Sequence, residues 1–89
     1  MLSVLLATRD RARNFGRNQY LMDGPAIREL RGASDAQTAS RLGRAIAETR
    51  RRLWRAMLAA DGKERFAARF RLSFLAGLAE EHAARMRRG

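Results

Sequence analysis

The sequence predicts an all-α fold: a small helical bundle dominated by a long antiparallel helical hairpin, with one or two short N-terminal helices. Three observations predict it. Between residues 36 and 60 the residues Leu42, Ile46, Thr49, Leu53, Met57 and Ala60 recur at spacings of three and four, the period of a helix that buries one side. Between residues 63 and 88 a second series does the same: Phe66, Phe70, Phe74 and Leu78 step by four, and Leu75, Ala79, His82 and Met86 continue the apolar side. The link at Gly62 is short, which makes the two helices antiparallel neighbours. No stretch shows a strand pattern.

Each element has local chemistry behind it. Residues 2–13 can form a short helix with Leu2, Leu5 and Leu6 as its apolar side. Asn14-Phe15-Gly16-Arg17-Asn18 then reads as a break, because Gly and Asn favour turn conformations. Phe15, Tyr20, Leu21 and Met22, in or beside that break, are expected to fold back on the core. Asp23-Gly24-Pro25 is a helix start, since proline at the first helical position gives up an N–H that has no partner there anyway. Residues 26–31 make about two turns, and Gly32 can take the left-handed C-terminal cap. Ser34-Asp35-Ala36-Gln37 is a capping box for the first long helix, which should stop at Asp61-Gly62. The chain thus divides into 1–33, short helices and loop, and 34–89, the hairpin, within one domain. Two broad apolar stripes cannot satisfy each other completely, so the N-terminal helices or a partner must cover the remainder.

Composition excludes several classes. The chain has 89 residues, of which 46% are apolar, enough for one small core and far from a disordered composition. It has no cysteine and one histidine, so neither a thiolate site nor a histidine-rich metal site is available within one chain. No apolar run approaches the ~20 residues of a membrane span. Residues 1–7 are apolar, but arginines follow rather than precede them, the reverse of a secretory signal. That arrangement could mimic a mitochondrial presequence, against which Asp10 counts, so a cytoplasmic soluble protein is the default expectation.

Nothing in the sequence asks for catalysis, a cofactor or a small-molecule substrate. Glu80-Glu81-His82 lacks the second histidine of a metalloprotease helix, and His82 lies on the apolar side of its segment, where a packed or partner-facing histidine is expected. Glu48 stands four residues from both Arg44 and Arg52, ion-pair spacing worth about 0.2–0.5 kcal/mol per pair. A carboxylate so placed is held ionised, the opposite of what a general acid needs. The isolated glycines make no phosphate loop.

The charge points to a partner. Nineteen basic against nine acidic side chains leave a net charge of +10, which attracts nucleic acid, an anionic membrane or an acidic protein. Codon usage in a GC-rich genome accounts for arginine over lysine, but not for the excess of base over acid. Arg41, Arg44, Arg51, Arg52 and Arg55 fall opposite the apolar stripe of their helix, with Trp54 and Leu58 on an intermediate flank. These arginines, with Arg65 and Arg69 (and Arg87) on the second helix, could follow nucleic-acid phosphates as a basic accessory subunit of a ribonucleoprotein or regulatory complex. They read equally as a solvated helix face with snorkelling stems. Whether the two sets form one face or point apart is open at this level. Phe66, Phe70 and Phe74 are better explained as core than as base-stacking platforms.

Arg51-Arg52-Leu53-Trp54, then Ala60-Asp61, then 68–76 (Ala-Arg-Phe-Arg-Leu-Ser-Phe-Leu-Ala) and Glu81-His82 resemble the FlaF family, small helical flagellar proteins of alphaproteobacteria. The resemblance covers roughly residues 42–89. It implies a non-enzymatic regulator of flagellum biogenesis that supports flagellin production and export by binding flagellin. Leu53, Trp54, Leu72, Leu75 and His82 are the positions carried over from the family. Together with Leu58 they are the expected partner-binding residues, for a helical protein docking on apolar surface that the hairpin leaves open.

Overall fold

The computed structural model describes residues 2–88 of the chain, with side chains from residue 8 onward. Four helices follow one another: α1 (Leu2–Leu21), α2 (Pro25–Leu30), α3 (Asp35–Leu58) and α4 (Gly62–Arg88). There is no strand among the described residues. The expected hairpin is present as α3 and α4, and α4 is the hub, packing extensively against both α1 and α3. Its 27 residues account for the 42 Å long axis of the molecule, at 1.5 Å per residue. The side chains of Leu2, Leu5 and Leu6 lie outside the described set.

α1 differs from expectation. It is one helix of 20 residues, running through Asn14, Gly16 and Asn18 without a break. The reason is tertiary. A Cβ on Gly16 would stand 2.1 Å from the Phe74 carbonyl oxygen, and one on Gly77 would stand 2.1 Å from that of Arg13. The two glycines let the backbones of α1 and α4 touch, so Gly16 is a crossing point rather than a turn. Helix propensity alone disfavours glycine by about 1 kcal/mol, and packing overrides it here. Of the neighbouring apolar residues, Tyr20 is buried, while Phe15 is 52% exposed and reaches the core only through its ring, 5.5 Å from that of Phe74. Leu21 and Met22 instead face solvent, correcting their placement on the core.

The junctions are built from short-range hydrogen bonds. α1 ends with the Gly24 N–H on the Gln19 carbonyl and the Asp23 N–H on that of Tyr20, with Asp23 in the left-handed region (φ 53°). Pro25 opens α2 as expected. Gly32 is not left-handed: α2 caps on Arg31 in an extended conformation, and the Gly32 N–H goes to the Thr38 hydroxyl at 2.8 Å. Ser34 caps α3, accepting from the Gln37 N–H at 3.1 Å, while the Gln37 amide oxygen reaches back to the Ala33 N–H. α3 stops at Leu58, earlier than expected, and the residue that turns the chain is Ala60 (φ 54°) rather than Gly62. Asp61 then caps α4 by accepting from the Glu64 N–H at 3.1 Å.

The core comprises Tyr20, Ile27, Leu42, Phe74, Leu75 and Leu78, with Ala26, Leu30, Ala45 and Ile46 packed around it. α2 therefore closes one side of the bundle through Ile27. α3 presents Thr38, Leu42, Thr49 and Ala56 to the interior, a stripe rotated from the expected one, so Met57 is 43% exposed. On α4, Phe74 and Leu78 are core as expected, whereas Phe66 and Phe70 are 52% and 41% exposed. Their helical phase carries them out of the three-helix contact before the hairpin end is reached.

Candidate interaction surface

The six residues expected to bind a partner separate into three environments. Leu75 and His82 are buried, which removes them from any open surface and corrects that expectation. His82 holds the bundle together. Its Nε2–H donates to the Asp35 carbonyl at 2.8 Å, and in the neutral ring Nδ1 accepts from the Tyr20 hydroxyl at 2.9 Å. One imidazole thereby joins α1, the start of α3 and α4, and no buried side-chain nitrogen or oxygen among the described residues lacks a partner.

Leu53 and Leu72 are brought together. Both are half-buried and line a groove of about 520 Å³ together with Arg9, Asp10 and Arg13 of α1 and Arg69 and Ser73 of α4. The sequence pointed to both leucines but not to Arg9 or Arg13, which only the packing of α1 on α4 brings beside them.

Trp54 and Leu58 stand apart from that groove. They are 61% and 73% exposed, one turn apart on α3. With a helical period of 3.6, both share the outward arc of α3 with Arg44, Arg51 and Arg55, so they are not on an intermediate flank.

The seven candidate arginines also divide. Arg41 donates to the Arg31 carbonyl at 3.0 Å, and Arg52 holds Glu64 through two hydrogen bonds of 3.0 and 2.6 Å. Both are thus used inside the fold, and Glu48 pairs with neither Arg44 nor Arg52 among the described residues. Arg44, Arg51 and Arg55 are exposed and have no carboxylate within ion-pairing distance among the described residues. Arg65 and Arg69 border a cavity of about 180 Å³ beside α1, with Thr8, Arg9, Phe66 and Phe70. Arg44, Arg51 and Arg55 thus lie on the outward arc of α3, while Arg65 and Arg69 lie where α4 meets α1.

The described residues include no group of three or more His, Asp or Glu placed to hold a metal ion. No described helix is long and apolar enough to cross a membrane. No protein-family model, curated protein or solved structure matches the chain.

Proposed function

We propose that this chain is a non-enzymatic helical interaction protein and that its partner is another helical protein. The resemblance to FlaF makes a flagellin-like protein the partner to test, with regulation of flagellum biogenesis as the role. The observation that carries the reading is the outward placement of Trp54 and Leu58, 61% and 73% exposed on α3. A tryptophan on a rigid helix loses little entropy on docking and contributes a large apolar area, which is why such residues dominate binding energies. Arg51 and Arg55 beside them would form a polar rim. Leu75 and His82 are buried, His82 beside Asp35 at the opposite end of α3, and neither belongs to this surface.

The test is binding of the purified chain to purified alphaproteobacterial flagellin by calorimetry. Trp54→Ala is expected to lower affinity at least about tenfold, the ~1.4 kcal/mol of a modest hot spot, without changing thermal stability. No binding by the parent chain rejects the flagellin partner, and unchanged binding by the variant rejects Trp54 as the anchor.

A second reading rests on Arg44, Arg51 and Arg55, three exposed guanidinium groups on one arc that form no ion pair among the described residues, with Glu48 as the one carboxylate on the arc. Such an arc suits the phosphates of a nucleic-acid backbone. Binding to mixed-sequence RNA and DNA should then fall steeply between about 50 and 200 mM salt. Replacing the three arginines by Gln should flatten that dependence. Absence of binding at low salt removes this reading.

A further inference from the structure

We infer that the seam between α3 and α4, on the flank away from α2, is a docking groove for one acidic amphipathic helix of a partner protein. This surface is distinct from the Trp54 face; it shares with the reading above that the partner is a helical protein, and it takes in Leu53 and Leu72 of the residues expected to bind one.

The seam has a regular build. On α3, Ala39, Ile46 and Leu53 recur at a spacing of seven, and on α4 Leu72, Ala79 and Met86 do the same. Running antiparallel, they pair as three rungs: Ala39 with Met86, Ile46 with Ala79, and Leu53 with Leu72. Rungs seven residues apart lie about 10 Å from one another along a helix. Spacing of seven is the repeat of helices that pack side by side over several turns. Every rung residue is half-buried except Met86, which is 46% exposed. The other flank of the α3–α4 contact is closed, since Ala45 packs on the core with Ala26 and Leu30 of α2, and Arg41 bonds the Arg31 carbonyl. On the seam flank α1 reaches only the Leu53–Leu72 end, where Arg9, Asp10 and Arg13 line the groove. One end opens as a cavity of about 190 Å³ over Ala39, Gly43, Ile46, Ala79, Ala83 and Met86, and the other is the Leu53–Leu72 groove.

Gly43 points the same way. Glycine inside a helix weakens it, and this chain uses Gly16 and Gly77 where two backbones must meet. A Cβ on Gly43 would meet nothing within 4 Å, so the fold has no internal need for glycine at that position. Close approach by a helix from outside supplies the need.

Charge selects the occupant. Arg9, Arg13 and Arg69 line the Leu53–Leu72 end, and exposed Arg50 stands on α3 between the Ile46 and Leu53 rungs. Against them stand Asp10, in the same groove, and Glu80, which is held by Arg13 at 3.4 Å. A second copy of this chain would set arginine against arginine. A helix with an apolar stripe flanked by glutamates meets both the seam and its rims.

The test uses the full chain, labelled with nitrogen-15, and a synthetic amphipathic helix of about 18 residues, long enough to span the rungs, with a Leu/Ala stripe flanked by Glu. Amide shifts are expected at Ala39, Gly43, Ile46, Ala79 and Ala83. A peptide with Lys in place of Glu should bind at least tenfold more weakly. Gly43→Leu should weaken the acidic peptide at least tenfold while circular dichroism shows a folded chain, and Ala79→Glu should do so independently. Trp54→Ala should leave this binding unchanged, which separates the seam from the flagellin reading. Absence of saturable binding, shifts confined to the outward face around Trp54, equal affinity for the Lys peptide, or undiminished binding by both variants would each overturn the inference.

Discussion

Three glycine-to-alanine substitutions in the helices should change stability with opposite signs, and the structure says which. Alanine stabilises a helix over glycine by about 1 kcal/mol, mostly through the unfolded chain. At Gly43 nothing opposes that gain, since the added methyl has no neighbour within 4 Å. At Gly77 the methyl would stand 2.1 Å from the Arg13 carbonyl oxygen and 3.0 Å from the Arg17 nitrogen. Neither atom belongs to a side chain that can swing away, so α1 and α4 must separate by about 1 Å to restore an ordinary contact. A gap of that size forfeits a quarter to a half of each dispersion contact across the interface. Overpacking of this kind costs about 1–3 kcal/mol and more when backbone must move. Taking the upper end and subtracting the propensity gain leaves Gly77→Ala, and likewise Gly16→Ala, destabilised by about 2 kcal/mol. For a domain of this size, that corresponds to a midpoint lowered by roughly 8–16 °C, against a rise of roughly 4–8 °C for Gly43→Ala. Thermal melts followed by circular dichroism measure all three. Because one separation of the helices relieves both clashes, the Gly16/Gly77 double variant should cost less than the two single losses added. A Gly77→Ala protein as stable as the parent would refute the backbone contact and the account of α1 built on it.

Further outcomes follow from the same structure. Ala60→Gly should stabilise the hairpin by about 0.5–1 kcal/mol, because Ala60 sits at φ 54° in a turn where glycine has no steric penalty; urea melts would show it. Tyr20→Phe should cost about 1–3 kcal/mol by leaving the buried Nδ1 of His82 without its donor. Imidazole nitrogen-15 shifts should report His82 as the Nε2–H tautomer in the parent, and an Nδ1–H tautomer would contradict the Asp35 contact. Raising salt from about 10 mM to about 0.5 M should raise the melting temperature, since screening relieves self-repulsion at net charge +10. The exposed ion pairs that salt weakens contribute only about 0–1 kcal/mol each, so a steady fall with salt would show that they count for more than this.

The parts of the fold legible in the sequence are those fixed by side chains close to one another along the chain. Ser34 and Gln37 announce the start of α3 within four residues, and Pro25 the start of α2. The parts that were not legible depend on contacts distant in sequence. Gly16 reads as a breaker until Gly77 is placed against the same crossing, 61 residues away in the chain. Phe66 and Phe70 share the spacing of Phe74, but only the third lies where α1, α2 and α4 converge. The apolar stripe of α3 was found, yet its rotation was set by Ile27 and Leu75, so Met57 and Trp54 went to solvent while Ala56 went inside. His82 was correctly placed on the apolar side, but its two hydrogen bonds come from Tyr20 and the Asp35 carbonyl, which no local pattern connects.

The charges follow a division that bears on function. Most carboxylates sit at junctions between elements: Glu80 and Glu81 take Arg13 and Arg17 across α1–α4, and Glu64 takes Arg52 across the hairpin. Asp35 takes Arg85, Asp23 takes Arg28 and Arg31 where α1 meets α2, and Asp61 caps α4. Such pairs contribute little energy individually when exposed, so their value lies in fixing how helices meet. Acid is thereby spent on internal geometry. Of the arginines without a carboxylate partner among the described residues, Arg44, Arg51 and Arg55 stand on the outward arc of α3 and Arg9, Arg50 and Arg69 around the seam, while Arg11, Arg65, Arg71, Arg87 and Arg88 are spread over α1 and α4. The first two groups share an arc with Trp54 and Leu58 or border Leu53 and Leu72, where the two proposed partner surfaces call for positive charge.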